Sequence, residues 1–490
     1  MARSTRREFV KQAAATASLP ILSSSILADA QIPKVRYNVL SPEGQAMVRK
    51  YAEGVRLMKN KPATDPCSWT FWWYTHAIPV PKATAINNVF GSTPSPARDL
   101  AERAWWTCQP HQNGQNTDNF LPWHRMYVYF FEKTIRALLH DDSFTLPYWN
   151  YSPGLPSSPT SGVMPAAFRS PGVPAFAPLY VANRNPGVNT GSPIDAHNPG
   201  DLSATSAMAE TTYSPHSPKQ GFCNNLDFNL HGNVHDLVGT TTNMGWVPTA
   251  AQDPIFWMHH CNIDRLWASW NKNGHPNPND QNWKNQRFCF AGPDCKAASQ
   301  LVGDVLSIEP LGYTYQEFQP GPRLVASRAL ALNAQEPVAT STVATSASVA
   351  LSGATTRVAL QIAAGAPQNR AFDLTLNAPA PDLGRYYLVI RDLQVKSQPG
   401  VLYDIYLDLP EAASAEARAA HKVGSLNFFT AMPGMRMDEP TRFVSFDISG
   451  LVKKLGASVA SGAVNLTITS SGQPAEGSQP VIGSVSIVKV

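Results

Sequence analysis

Two histidines placed four residues apart, His231 and His235, have the spacing in this 490-residue chain that points most directly to chemistry. On a helix, positions i and i+4 lie on one face, so both imidazoles can reach the same metal ion. His260, in a later apolar and aromatic segment, would complete a set of three nitrogen donors. The pair by itself fits zinc, iron, copper or no metal. Gly232 stands where a zinc peptidase needs its glutamate, and no Glu-x-x-His pair of a di-iron bundle accompanies these histidines.

A second group of histidines, His76, His111 and His124, lies upstream and would hold a second ion. Neutral imidazole suits both Cu(I) and Cu(II), and Cu(II) leads the divalent affinity order for nitrogen donors. Three imidazoles on each ion also leave one coordination position open for oxygen. Each histidine taken alone is as readily explained as a core or surface residue. Their joint occurrence in this order favours a pair of copper ions.

Two longer motifs resemble the copper signatures of the type-3 copper polyphenol oxidases, the family of tyrosinases and catechol oxidases. The first reads Phe-apolar-x-Trp-His-Arg with a glutamate seven residues further on, and residues 120–132 satisfy it. The second reads Asp-Pro-x-Phe-aromatic-x-x-His-x-x-x-Asp and is satisfied by residues 253–264. Its register makes His260 the ligand and His259 a neighbour. Arg36 and the Tyr-x-Tyr motif that begins at Tyr313 resemble the two ends of the catalytic domain.

The sequence departs from the family pattern between the first and third ligands of the first copper. In the family, the second ligand lies closer to the third than His111 lies to His124, and an insertion at 113–119 would account for this. Many members join that histidine to a nearby cysteine by a thioether. Cys108 precedes His111 by three residues, which is not the usual arrangement, so a disulfide or a free thiol is an equal alternative.

The resemblance implies an enzyme that oxidises o-diphenols to o-quinones and reduces O2 to water, with phenolic small molecules as substrates. Members that also hydroxylate monophenols often hold a proton-abstracting water between a glutamate and an asparagine. Asp227 and Gly232 occupy those two positions here, and both changes weaken the device. The sequence therefore favours a catechol oxidase, with full tyrosinase activity as the alternative. Oxygen carriage of the haemocyanin type and a metal-free structural role are more remote alternatives.

Two further positions bear on the substrate. Val247 aligns with a residue that stands over the copper site, and its small side chain would leave the mouth open to bulky phenols. It could equally pack within a loop. Asp236, directly after His235, either faces the pocket and repels carboxylated substrates or is solvated.

The first thirty residues predict an exported protein. They combine Arg6 and Arg7, an apolar stretch of small residues and an Ala-x-Ala cleavage site ending at Ala30, which is typical of a twin-arginine signal peptide. This route carries folded proteins, so we expect metal loading before export, with a copper chaperone as a candidate partner and a periplasmic or secreted destination. The apolar run is too short and too polar for a membrane span. The net charge of +4 indicates no nucleic-acid partner.

The chain beyond the signal peptide divides into two predicted domains. Periodic segments predict a surface helix from Pro42 through Met58 and helices that carry ligands at 118–140, 228–239 and 253–272. They give a mainly α catalytic domain in which a four-helix bundle holds the dicopper site. Strand-like segments after an Ala-, Ser- and Thr-rich stretch predict an all-β antiparallel sandwich. The predicted bounds are 1–30 for the signal peptide, 31–318 for the catalytic domain, 319–355 for a linker and 356–490 for the sandwich.

By resemblance, the C-terminal domain would cover the copper mouth and keep the enzyme latent, with a side chain from the loop 428–435 in the site. A purely stabilising sandwich is the alternative. Six cysteines are too few for a disulfide scaffold. Among them, Cys289 and Cys295 could close a small loop, and Cys261 is expected to pack as a small buried side chain.

Overall fold

The computed structural model describes residues 33–109, 117–152, 162–197, 200–323, 340–362, 385–431, 442–455 and 464–490. Residues from Lys34 onward form one compact unit. Within the described part of the chain, none of the helices has the length and apolar character needed to cross a membrane.

The N-terminal part of this unit is helical, as its periodicity predicts. The first helix begins where the Ser41 side chain accepts a hydrogen bond from the Gly44 amide, with Pro42 in the first turn. Both features favour a helix start at this residue. The α-helices up to residue 300 are α1 (Pro42–Lys59), α2 (Trp69–His76), α3 (Lys82–Phe90), α4 (Pro96–Ala104), α5 (Phe120–Leu139), α6 (Thr205–Met208), α7 (Gly221–Asn225), α8 (Gly232–Val238), α9 (Val247–Ala250), α10 (Ile255–Lys272) and α11 (Gln281–Lys284).

The chain between α7 and α8 is also helical, but with a wider turn. Residues Leu226–His231 form a π-helix, so the whole stretch from 221 to 238 is one continuous helical segment. Such π-turns are rare and occur often at functional sites. The predicted helix at 228–239 is therefore present, and its first turns have π geometry.

Helices α5 and α10 form the centre of the helical domain and are buried along most of their length. The rings of Phe131 and Trp257 stack between them with centroids 3.4 Å apart. This packing brings one ligand-bearing segment of each motif face to face.

A buried ionic cluster fixes both ends of the helical domain to this centre. Strands β1 (Lys34–Arg36) and β4 (Tyr313–Tyr315) pair in parallel, which places Arg36 opposite Tyr315. Arg36 donates to Glu132 at 2.8 Å and to Asp264 at 3.1 Å. Arg125 also donates to Asp264. Asp264 thus pairs with two arginines.

One disulfide corrects the sequence prediction. Cys295 bonds to Cys67, not to Cys289, and the two bonded residues are 228 positions apart in the chain. Cys289 lies within strand β2 (Arg287–Ala291) and pairs in register with Ser299 of strand β3 (Ala297–Leu301), while Cys295 lies in the turn between these strands. The hairpin therefore carries Cys295 to Cys67 and leaves Cys289 as a free thiol. Cys261 is buried, as expected.

The C-terminal part is an antiparallel β domain, so the predicted order of a mainly α domain followed by an all-β domain is confirmed. Its strands join in one nine-stranded sheet, in the order β10-β9-β12-β7-β5-β13-β8-β11 with β6 beside β13, and it curls so that β10 lies against β11. Its strands are β5 (Ser341–Ser346), β6 (Val349–Ala350), β7 (Thr356–Ile362), β8 (Tyr386–Gln394), β9 (Tyr403–Leu407), β10 (Lys422–Leu426), β11 (Phe443–Asp447), β12 (Val464–Ser470) and β13 (Val481–Lys489). Two short helices, α12 (Ala415–His421) and α13 (Ser449–Leu455), accompany the sheet.

The sheet begins earlier than predicted. Strand β5 pairs with β13 and β7, so residues 341–346 belong to the β domain and not to a linker. Their Ser, Thr and Ala composition carries little hydrophobic signal, and the pairing with β13 depends on a partner more than a hundred residues away. The rest of the predicted linker between 324 and 339 lies outside the described residues.

The two domains share their apolar cores. Phe228 of the π-helix packs in the core of the β domain. In the opposite direction, Leu402 and Phe429 of the β domain pack in the helical core. The contact is therefore made by buried apolar side chains from both sides.

Candidate dinuclear metal centre

Four helical segments bring the predicted histidines together. His76 is the last residue of α2, and His124 lies in the first turns of α5. The π-helix ends at His231 and α8 carries His235, while α10 carries His260. All five imidazoles are buried, with exposures of 2% or less.

The first predicted group is partly described. Ligand atoms of His76, His124 and Cys108 lie within 4.8 Å of one another, and the two imidazole centroids are 5.8 Å apart. His111, the third predicted ligand, lies outside the described residues.

Cys108 is buried and forms no disulfide, so the disulfide alternative does not hold for it. Its Sγ lies 3.5 Å from Nε2 of His124. The proposed thioether to His111 cannot be read from the described residues and stays a prediction.

The second group contains four histidines in place of the predicted three. His231, His235, His259 and His260 place one nitrogen each within 4.8 Å of the others. The metal-binding lone pair of an imidazole lies in the plane of the ring, so two ligands of one ion need planes that intersect at that ion. The rings of His231 and His259 stack with an interplanar angle of 11°, whereas those of His231 and His260 meet at 70°. This geometry favours His260 as the ligand.

His259 has a different role in the site. Its Nδ1 is 2.8 Å from the hydroxyl of Tyr151, and its ring lies flat against that of His231 at a centroid distance of 5.2 Å. It therefore supports the orientation of His231.

The two groups meet at His260. Its centroid is 4.4 Å from that of His124 and 5.0 Å from that of His231. The Phe256 ring packs at 4.1 Å from His260 and at 4.9 Å from His76, which closes the space between the groups with an apolar wall.

Backbone carbonyls set the tautomer of three imidazoles that are predicted copper ligands. A carbonyl oxygen only accepts, so the Nδ1 next to it carries the proton and Nε2 keeps its lone pair for a metal. The Nδ1 atoms of His76, His124 and His235 lie at 3.1, 2.7 and 2.7 Å from such oxygens. The acceptor for His76 is the carbonyl of Val247, a contact that the sequence did not suggest.

These residues fit a pair of copper ions. Burial holds the pKa of His76 at about 3 and those of His235 and His260 well below the usual value, so the imidazoles are neutral and ready to coordinate. Among the described residues, Nε2 of His235, Nε2 of His259 and both ring nitrogens of His260 have no hydrogen-bond partner although they are buried. Buried nitrogens of this kind are costly unless something binds them, and copper is the ion that all-imidazole sites favour.

The same burial predicts how the metal-free protein responds to pH. Lowering the pH from about 7.5 to about 5.5 should destabilise it, because the unfolded state then binds more protons than the folded state. In the unfolded chain these histidines titrate near their ordinary value of 6.5, whereas in the folded state they stay neutral. Each contributes up to about 1.4 kcal/mol per pH unit. The histidines with lowered pKa are His76, His235, His259 and His260.

Buried carboxyls oppose this trend. Burial raises the pKa of Asp227 and Asp236 in the site, and elsewhere in the described residues that of Asp118, Asp195, Glu210 and Asp408, so these groups add stability as the pH falls. Denaturant titrations of the metal-free protein at a series of pH values measure the balance. A midpoint that stays constant or rises toward pH 5.5 would show that burial of neutral histidines does not dominate the pH dependence.

The structure also locates the three positions predicted to influence the substrate. Asp227 is buried, and its Oδ1 lies 3.0 Å from Nδ1 of His231. The carboxylate is therefore on the Nδ1 side of that imidazole, opposite to Nε2. Val247 is fully buried at the start of α9. A side chain at Gly232 would contact Asn427 of the β domain. These contacts do not test whether Val247 leaves the mouth of the site open to bulky phenols, and that role stays a prediction.

Among the described residues of the predicted loop 428–435, Phe429 is the one whose ring stacks on a predicted copper ligand. Its ring stacks on that of His235 with centroids 3.9 Å apart and an interplanar angle of 7°. The preceding residue, Phe428, donates its amide to Asp236 at 3.3 Å. Asp236 therefore contacts the β domain and is not solvated. Within the predicted loop 428–435, residues 432–435 lie outside the described residues.

Comparisons with known proteins agree with this geometry. Residues 66–178 and 183–273 match the family profile described as the common central domain of tyrosinase. Tyrosinase HcTyr1 of Hahella sp. (strain CCB-MM4) is 33% identical over 312 residues, which cover 58% of this chain and 63% of that protein. (+)-Larreatricin hydroxylase of Larrea tridentata is 27% identical over 300 residues, which cover 55% of this chain and 47% of that protein.

The C-terminal part has its own matches. Residues 338–490 match a domain of unknown function, DUF7868. The structure of latent apple tyrosinase aligns with 94% of this chain and 97% of that chain, with a TM-score of 0.57 and 20% identity. At this identity the likeness is one of fold. The chain spans 63% and 47% of the length of the two relatives named above.

Proposed function

We propose that this chain, whose residues 66–178 and 183–273 match the common central domain of tyrosinase, is a type-3 copper polyphenol oxidase that oxidises o-diphenols to o-quinones and reduces O2 to water. The observation that carries the proposal is the meeting of two groups of buried imidazoles at His260. The proposed ligands are His76, His111 and His124 for one copper and His231, His235 and His260 for the other.

A copper pair would supply the redox chemistry, taking two electrons from each diphenol and passing them on to O2. The protein holds the ligand nitrogens in place and excludes water. Backbone carbonyls fix the Nδ1 atoms of His76, His124 and His235. The rings of Phe120 and Phe256 pack against histidines of both groups and keep the surroundings apolar.

Oxidation of diphenols is favoured over hydroxylation of monophenols. Hydroxylation needs a base that removes the phenol proton, and the Asp227 carboxylate lies against the far side of the His231 ring. Gly232 offers no side chain to hold a water, and its surroundings are filled by Asn427. Hydroxylation is nevertheless the second candidate, supported by the match to a protein named as a hydroxylase.

We also propose that the β domain holds the enzyme latent. Phe429 is fully buried and covers the face of His235, a proposed copper ligand, so a substrate ring cannot occupy the same place. Removal of the Phe429 side chain would open that place without cutting the chain.

Oxygen uptake by the copper-loaded protein tests these proposals. We expect the variant Phe429→Ala to consume oxygen with 4-methylcatechol faster than the parent chain, and to consume little with tyrosine. Prompt uptake with tyrosine would make hydroxylation part of the function. Reversible oxygen binding without consumption of either phenol would indicate an oxygen carrier, and absence of any oxygen reaction would count against the oxidase assignment.

Export by the twin-arginine route to the periplasm or beyond is a further proposal, supported by the signal-peptide pattern in residues 1–30, which lie outside the described residues. Replacing both Arg6 and Arg7 by lysine should leave the precursor in the cytoplasm, as cell fractionation would show. Unchanged export of this variant would exclude the route. A copper chaperone is the candidate partner for loading before export.

A further inference from the structure

Gly232 is a glycine inside a helical segment, where glycine is an unfavourable residue. Its backbone is ordinary right-handed helix, with φ of −62° and ψ of −38°, so no unusual conformation requires glycine. Glycine inside a helix costs about 1 kcal/mol relative to alanine. Close approach of another group is the remaining reason for glycine at a buried site.

That group is the side chain of Asn427, which comes from the β domain. A Cβ atom added at Gly232 would lie 2.3 Å from Oδ1 of Asn427 and 2.7 Å from its Cγ and Nδ2. Real Cβ atoms do not make contacts this short. Asn427 is 2% exposed, so its amide cannot move into solvent without separation of the two domains.

The amide of Asn427 is held by hydrogen bonds to the helical domain. Its Nδ2 donates to the carbonyl oxygen of Phe228 at 2.7 Å and to Oδ1 of Asn233 at 2.9 Å. A longer bond runs to the carbonyl oxygen of Asn229 at 3.2 Å. Since its donors are directed at protein acceptors, Asn427 does not serve as a water holder in the site.

The same amide orients the residue that covers His235. Oδ1 of Asn427 accepts a hydrogen bond from the amide of Phe429 at 3.2 Å. Phe428, between the two, packs in the core of the β domain. Asn427 is therefore attached to the helical domain on one side and to the backbone of Phe429 on the other.

We propose that Asn427 is a positioning residue that seats Phe429 over His235, and that Gly232 is glycine because this contact requires its space. The β domain can close over the site only if position 232 carries no side chain, because Asn427 occupies that space. We call this the Gly232–Asn427 docking contact. The residue directly after His231 thus controls closure of the site. Its effect on turnover depends on the proposed function, whereas its effect on docking does not.

Hydrogen–deuterium exchange on the metal-free, full-length chain measures the docking contact without catalysis. In Gly232→Ala, amides of the segment 427–431 should exchange at least about tenfold faster, since local opening sets their protection. Amides of strand β13, Val481–Lys489, should be unchanged and report that the β domain remains folded. The matched control is Gly172→Ala, because a Cβ at Gly172 meets no atom within 4 Å.

A second variant removes the hydrogen bonds and leaves the glycine in place. Asn427→Leu keeps a similar volume but loses every amide bond, and it should expose the same segment. Unchanged exchange of residues 427–431 in both variants would overturn the proposal. In the copper-loaded protein, faster exchange should accompany a lower KM for 4-methylcatechol. Faster exchange without oxidation by these variants or by Phe429→Ala would support the docking contact and count against the proposed function.

Discussion

Replacing His260 by alanine should leave the protein with one copper ion or fewer in place of the proposed two and should abolish the proposed phenol oxidation. The loss is expected to exceed about a hundredfold, because removal of partners that only support metal ligands already costs about 10–100-fold. His260 has the most central position, with His124 on one side and His231 on the other. Its loss therefore removes a ligand of the second copper and opens space beside the first group.

Two matched variants make this result specific. His259→Ala changes the neighbouring residue, whose Nδ1 is 2.8 Å from the Tyr151 hydroxyl, and should weaken copper binding while retaining both ions. His216→Ala changes an exposed histidine and should have no effect. Copper content by metal analysis and oxygen uptake provide the measurements. If His259→Ala loses one copper and His260→Ala retains two, the ligand is His259, and the orientation of the rings relative to His231 does not identify the ligand.

Replacing Asp264 by alanine should lower the free energy of unfolding by about 3–5 kcal/mol, the usual cost of removing one partner of a buried ion pair. Asp264 accepts hydrogen bonds from Arg36 and Arg125 and from the hydroxyls of Tyr313 and Tyr315. The two arginines hold the pKa of this carboxyl below its usual value. Without it, two buried guanidinium groups share too few acceptors.

The metal centre should respond to the same change. Asp264 lies four residues after His260 on α10, so the ionic cluster anchors the helix that carries this imidazole. The denaturation midpoint and the copper content of Asp264→Ala should therefore both be lower than in the parent chain. Glu53→Ala, which breaks an exposed ion pair with Arg56, should change neither. Full stability of Asp264→Ala would show that Arg36 and Arg125 are compensated by other groups.

Local patterns in the sequence determined the helical part of the site. The helix start at Pro42 and the periodicity after it predicted α1, and the patterns of 118–140 and 253–272 predicted α5 and α10. The i, i+4 spacing of His231 and His235 predicted that both imidazoles lie on one face. These features depend on residues within a few turns of one another, so they can be read without knowledge of the fold.

Contacts between residues far apart in the chain were decided only by the tertiary structure. The partner of Cys295 is Cys67 because a hairpin turn carries it there, and strand β5 is fixed by its pairing with β13.

The sequence by itself therefore determined which residues could hold two copper ions and which helices carry them. The tertiary structure decided what surrounds them: the stacking of His259 on His231, the stacking of Phe429 on His235 and the contact of Asn427 with Gly232. The physical reason is that ligand spacing is a property of one helix, whereas ring planes, buried contacts and domain docking depend on how separate elements pack.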